Sequence, residues 1–127
     1  RVHQILAVIE KHMKINLSSF DCYLATAGGF EINDPSSDLA IAIAIISSLK
    51  EQIPLKNCAF IGELGLNGQV RETNSIKSKI DESIRLGFEQ IVIPNTKNDD
   101  FKNIPNIKVI TVKNIQEAVT LSLNIDN

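Results

Sequence analysis

The stretch Asp34-Pro35-Ser36-Ser37-Asp38-Leu39-Ala40-Ile41-Ala42-Ile43-Ala44-Ile45-Ile46 decides how this chain folds. Proline and small polar residues at its start suit a helix N-terminus, where the polar side chains cap unpaired backbone N–H groups and proline lacks an N–H to leave unpaired. The run from Leu39 to Ile46 is apolar on nearly every face. A helix of that kind, expected over about 36–50, belongs in a core covered on several sides. The run is much shorter than the ~20 residues that span a bilayer, so no membrane partner is expected.

Upstream, Val2, Ile5, Leu6, Ile9 and Met13 recur at helical spacing and predict an amphipathic helix over 2–14. Asp21 to Ala27 reads as a strand ending at Gly28-Gly29, and Phe30-Glu31-Ile32 continues beyond. That glycine pair suits a bulge or tight turn better than a phosphate loop. Downstream, Cys58–Leu64 and Gln69–Arg71 flank Gly65-Leu66-Asn67-Gly68, whose Asn-Gly predicts a hairpin. Ile76, Ile80 and Ile84 then mark an amphipathic helix from Ser75 to Leu86, stopped by Gly87. Ile91–Ile93 and Ile107–Val112 read as strands, with Pro94 and Pro105 at loop positions. A last helix spans Asn114–Leu123, with Asn114 as N-cap and Glu117 completing a capping box. The order α, β, α, hairpin, α, β, β, α indicates an α/β (α+β) layer architecture.

At 127 residues, 43% hydrophobic and 22% charged, the chain suffices for one ordinary core, so residues 1–127 are read as a single domain. It opens on Arg1 within what reads as a helix, so a piece of a larger protein is expected. No signal segment is expected ahead of it. Cys22 and Cys58 sit in apolar runs without metal-ligand spacing, which predicts buried free thiols, no metal site and a reducing cytoplasm. His3 and His12 have no partner at ligand spacing and receive no chemistry. A net charge of -2 argues against the domain alone being an electrostatic nucleic-acid clamp.

Two helix starts carry the chemistry worth weighing. Ser36 follows proline, where a serine is ordinarily a cap. The same position directs N–H groups at incoming negative charge, as an oxyanion in acyl transfer requires. A base must then take the serine proton, and a lysine serves only when neutral. On the 76–84 stripe Lys77 lies along the buried edge, and Lys79 is expected toward solvent. Asp38 near the serine and Asp81 four residues after Lys77 both oppose a working pair, because carboxylates keep lysine protonated.

Gly62-Glu63-Leu64-Gly65-Leu66-Asn67-Gly68-Gln69-Val70-Arg71, then Arg85-Leu86-Gly87-Phe88 and Ile91-Val92-Ile93-Pro94, resemble the C-terminal domain of the bacterial RadA/Sms DNA-repair family. Arg1–Glu10 and Ser37-Asp38-Leu39-Ala40 match it too, so the resemblance runs from Arg1 to about Leu123. That domain is similar to the proteolytic domain of Lon proteases. The resemblance implies a Lon-protease-like domain with a mixed sheet and packed helices, cut from a protein whose other parts hold a zinc finger and a RecA-type ATPase. It implies no cofactor in this domain, with ATP, magnesium and zinc bound elsewhere. It also implies self-assembly into a homo-hexameric ring, single-stranded or branched DNA and a RecA-type recombinase as partners, and branch migration in recombinational repair.

Within the resemblance, Ser36 falls where Lon proteases keep their nucleophile and Lys77 where they keep their lysine. Lon proteases have Gly-Pro-Ser-Ala-Gly around the serine, and this chain has Asp34-Pro35-Ser36-Ser37-Asp38. The RadA pattern contains that second Asp and usually lacks the lysine, so Lys77 is a departure from it. The first expectation is a non-proteolytic ring-forming scaffold and DNA-engaging platform. Its candidate phosphate contacts are Arg71, Lys77, Lys79 and Arg85, plus Lys11 and Lys14 of the first helix. The alternative is a Ser-Lys peptidase with Ser36 as nucleophile and Lys77 as base.

Overall fold

The computed structural model describes residues 2–13, 34–74, 76–97, 99–101 and 103–123. The expected strand at Asp21–Ala27, the Gly28-Gly29 pair, Cys22 and Lys14 lie outside them. Pro35–Ser37 forms a single 3-10 turn that leads into helix α2 (Asp38–Lys50), and helix α1 (Val2–Met13) precedes both. Leu39, Ala42, Ile43, Ile45 and Ile46 of α2 are buried as the apolar run predicts. The burial is not all round, because Ala44 meets solvent and only its small side chain is exposed there. Glu51 closes α2 in the left-handed conformation, φ 52°.

Strands β1 (Cys58–Phe60), β4 (Gln90–Pro94) and β5 (Lys108–Val112) form a parallel sheet in the order β1-β4-β5. Ala59 pairs with Ile91 and Val92 with Ile110. Side chains alternate across such a sheet, and here both faces are covered. Val92 and Val112 join Ile5, Ile9, Leu39, Ile43 and Ile46 in one core, completed by helix α4 (Ile115–Leu123) through Ile115, Val119 and Leu123. Ile91 and Ile93 point the other way, into a second core with Ile76 and Ile80 of helix α3 (Ile76–Arg85). Three helices on one face and one on the other explain why Ile91-Val92-Ile93 is continuously apolar. The α/β expectation therefore holds, with parallel and antiparallel pairing both present.

The single strand expected over Cys58–Leu64 is broken at Gly62. A Cβ there would lie 2.5 Å from Val70 Cγ1, so only glycine lets the chain pass at this point. Beyond it, β2 (Glu63–Leu64) pairs antiparallel with β3 (Val70–Arg71), Leu64 opposite Val70. The hairpin falls where Asn67-Gly68 places it, and Gly68 carries the positive φ, 83°, while its N–H donates to Gly65 O at 2.9 Å. His12, given no chemistry from sequence, stands over this turn with Nε2 3.2 Å from Leu66 O.

Helix α3 ends as Gly87 predicts. Gly87 N–H donates to Ile84 O and Phe88 N–H to Ser83 O, both at 3.0 Å, the paired bonds of a Schellman motif. At the start of α4, Asn114 Oδ1 accepts Glu117 N–H at 2.8 Å. Glu117 reaches back to the N–H of Lys113 at 3.2 Å, one residue before the cap itself. Pro94 closes β4, paired with Val112, so it ends a strand where a loop was expected. Cys58 is a free thiol and half-buried, and burial pushes it up to about 11, so it stays protonated at neutral pH. No helix among the described residues is long and apolar enough to cross a membrane.

Candidate functional site

Everything around Ser36 follows from the turn that carries it. Asp34 caps the turn in extended conformation, and Pro35 fixes the next φ. Asp34 Oδ1 accepts both the Ser36 N–H at 3.0 Å and the Ser36 hydroxyl at 2.7 Å. Ser36 is thereby turned inward and is only 3% exposed.

The backbone donors that an oxyanion would need are already engaged. Ser36 N–H is held by Asp34 Oδ1, and Ser37 N–H donates to Asp34 O at 3.0 Å. Asp38 N–H donates to Pro35 O, and Leu39 N–H to Gly62 O at 3.0 Å. An oxyanion hole works through donors preorganised toward the developing charge and otherwise unspent. The four successive N–H groups from Ser36 to Leu39 all face protein acceptors instead.

Lys79, not Lys77, is the lysine at this serine. Lys79 Nζ lies 2.9 Å from Asp34 Oδ2 and is 35% exposed, whereas Lys77 is 79% exposed and sits 3.7 Å from Asp81. The sequence expectation of Lys77 beside Ser36 is corrected, while its i,i+4 pairing with Asp81 is as expected. The physical reason is the width of the buried face of α3. Ser83 is buried together with Ile76 and Ile80. The stripe therefore extends past the isoleucines, and at 3.6 residues per turn Lys79 borders it on the Ser83 side. Lys77 borders the opposite edge.

Ser36 and Lys79 line one shallow cleft of about 250 Å³ with Ala59, Ile61, Glu82 and Leu86. Its charges are arranged against proton abstraction. The hydrogen bond from Ser36, then that from Lys79, holds the Asp34 carboxyl down at about 2. The hydrogen bond to Asp34, with its charge, pushes the Lys79 ammonium above its usual 10.5. The nearest carboxylate is too weak a base and the nearest amine is kept protonated. Asp34 is not among the site residues expected from sequence. The departure from glycine at that position was its available signal.

Asp38 also has a structural task beyond the opposition to a lysine base expected of it. It is 2% exposed, and its Oδ2 accepts the N–H of Leu64 at 3.0 Å, tying the hairpin to the start of α2. With Gly62 N–H donating to Ser36 O at 2.9 Å, the serine turn and the β1–β2 junction are joined on both sides.

The candidate phosphate contacts are spread over three elements. Arg71 lies on β3 opposite Glu63, and Lys11 is exposed on α1. On α3 each basic candidate has an acidic neighbour: Lys77 has Asp81, Lys79 has Asp34, and Arg85 has Glu82 at 3.7 Å. Ion pairing of this kind is what a solvated helix face ordinarily carries.

Residues 12–124 match the family described as the Lon protease (S16) C-terminal proteolytic domain. Among individual proteins, the chain is similar to the "DNA repair protein RadA" of Bacillus subtilis, 40% identical over 123 residues that make up 97% of this chain and 27% of that protein. The protein of the same name from Streptococcus pneumoniae is 40% identical over 119 residues, 94% of this chain and 28% of its own length. In Synechocystis the corresponding identity is 35% over 123 residues, 97% of this chain and 24% of the relative. The chain thus spans about a quarter of the length of these relatives.

Proposed function

The chain belongs to the Lon protease C-terminal domain family, in the form carried by RadA/Sms proteins, and from that premise we propose that it is a non-proteolytic scaffold of a DNA repair protein. The observation that carries this reading is the Asp34 carboxylate lying between the Ser36 hydroxyl and the Lys79 ammonium. A Ser-Lys peptidase requires a neutral lysine at the serine and free donors for the oxyanion. This turn offers neither.

In this reading the fold is retained for its surfaces. The domain assembles a ring of identical copies, and its exposed cations meet single-stranded or branched DNA through phosphate charge, without reading sequence. Branch migration beside a RecA-type recombinase is the activity of the whole protein. ATP, magnesium and zinc are bound by its other parts, and this domain holds no cofactor of its own. The relatives' printed name supports the DNA repair context, and the matched family supports the domain type.

The test is hydrolysis of an unfolded protein substrate from about pH 7 to 10, with Ser36→Ala, Lys79→Ala and Lys77→Ala beside the parent chain. Absence of cleavage throughout, from protein with a cooperative thermal melt, is the expected result. Cleavage abolished by Ser36→Ala and by one of the two lysine substitutions would instead establish the peptidase reading. The shared cleft of Ser36 and Lys79 and the proteolytic description of the matched family favour that alternative.

A further inference from the structure

On the opposite edge of α3 from the serine cleft, a cavity of about 590 Å³ opens just beyond the carboxyl end of β4. Open parallel sheets place their ligands beyond the carboxyl ends of strands, and the volume suits a small organic molecule. Its wall includes Asn74, Lys77, Asn95, Lys97 and Phe101, with Glu72 as its acid among the described residues. The serine cleft shares none of these residues.

We infer that this cavity binds one nucleoside phosphate unit, either a free nucleotide or a nucleotide within a single strand. Lys77 and Lys97 supply two ammonium groups for the phosphate. The Lys77–Asp81 contact is long, at 3.7 Å, and exposed on both sides, so an incoming phosphate displaces it at little cost. Phe101 packs against the core built on Ile76, Ile80 and Ile91 while also lining the cavity, so its ring is held in place and offers a stacking surface for a base. Asn74 and Asn95 carry both donors and acceptors suited to a base edge or a sugar hydroxyl. Glu72 disfavours a bare anion and accepts from a ligand that brings hydroxyl or amine hydrogens beside its phosphate.

The inference deepens the DNA-engaging reading by placing a contact at this cavity. Lys97 and Phe101 were not among the candidates drawn from sequence. The wall is assembled from the β3–α3 and β4–β5 connections and the first turn of α3, which meet only in the fold.

The experiment is fluorescence anisotropy of a labelled oligothymidine with the full chain at low salt, competed with thymidine monophosphate, using Lys97→Ala, Phe101→Leu and, as a surface control, Lys50→Ala. Binding should weaken about tenfold in each of the first two variants, the order of one lost stacking or phosphate contact, and stay unchanged in the control. Competition by the mononucleotide at concentrations comparable to the strand identifies a free nucleotide as ligand; resistance to it identifies the strand. A thermal melt accompanies Phe101→Leu, and the exposed Lys97 provides the reading that does not depend on packing. Oligothymidine binding left unchanged by both variants would overturn the cavity assignment while leaving the DNA-engaging reading in place. Absence of binding by either probe at low salt would overturn both.

Discussion

Lys79 Nζ and Asp34 Oδ2 meet at 2.9 Å, and the other oxygen of the same carboxylate receives the Ser36 hydroxyl. One acidic side chain therefore holds both groups that a Ser-Lys peptidase would need to bring together directly. Its effect on each is opposite to catalysis, keeping the amine charged and the hydroxyl turned toward an oxygen that takes up protons only in strong acid.

The Lys79 ammonium should titrate above its usual 10.5 in the parent chain, because the hydrogen bond to Asp34 favours the charged form. Asp34→Asn removes that charge and should move the titration downward. NMR of the Lys79 side chain as a function of pH reads both values. An unchanged titration in the variant would show that Asp34 is not what holds the proton.

The same pair gives an acid dependence of known sign. Asp34 is depressed from 3.8 to about 2 in the folded chain. A depressed carboxyl stabilises the fold above its unfolded value and loses that contribution as pH falls through the folded one, here between about pH 4 and pH 2. Both side chains are substantially exposed, so solvent screening limits the effect to less than about 1 kcal/mol. Asp34→Asn retains most of the cap, since Asn serves nearly as well as Asp. Urea midpoints across that window should fall for the parent more than for the variant.

Asp38→Ala should destabilise the chain by about 1–3 kcal/mol, because it leaves the buried Leu64 N–H without its acceptor. The loss in urea unfolding should exceed that for Lys77→Ala, a surface change expected to stay within about 0.5 kcal/mol.

Gly62→Ala should cost about 1–3 kcal/mol through the clash with Val70 Cγ1. Adding Val70→Ala opens the space, so the pair should be less destabilised than the sum of the two single changes. Strict additivity in that double-mutant cycle would place the strain elsewhere.

The helices were legible from local pattern. Apolar spacing marked α1 and α3, the unbroken apolar run marked α2 and the Asn114 capping box marked α4, while Gly87 marked the end of α3 through its backbone freedom. The hairpin was legible in Asn67-Gly68. The break at Gly62 was not, since Cys58–Ile61 with Leu64 passes for one strand and the clash that requires glycine comes from Val70, across the hairpin. The site was half legible for a related reason. Ser36 at a helix start is a local feature, whereas the choice between Lys77 and Lys79 turned on Ser83, a polar residue buried by its neighbours and invisible to a hydrophobic pattern.

The ties between the serine turn and the hairpin also set how this region can open. Gly62 donates to Ser36 and accepts from Leu39, and Leu64 donates to Asp38, so three cross-links join segments far apart in sequence. Fluctuations that expose one of these amides must release its neighbours, which makes the segment a single cooperative unit. Hydrogen exchange at Leu39, Gly62 and Leu64 should therefore proceed at one common rate. A partner reaching the Ser36 cleft meets, among the described residues, a turn and a hairpin already tied together before contact.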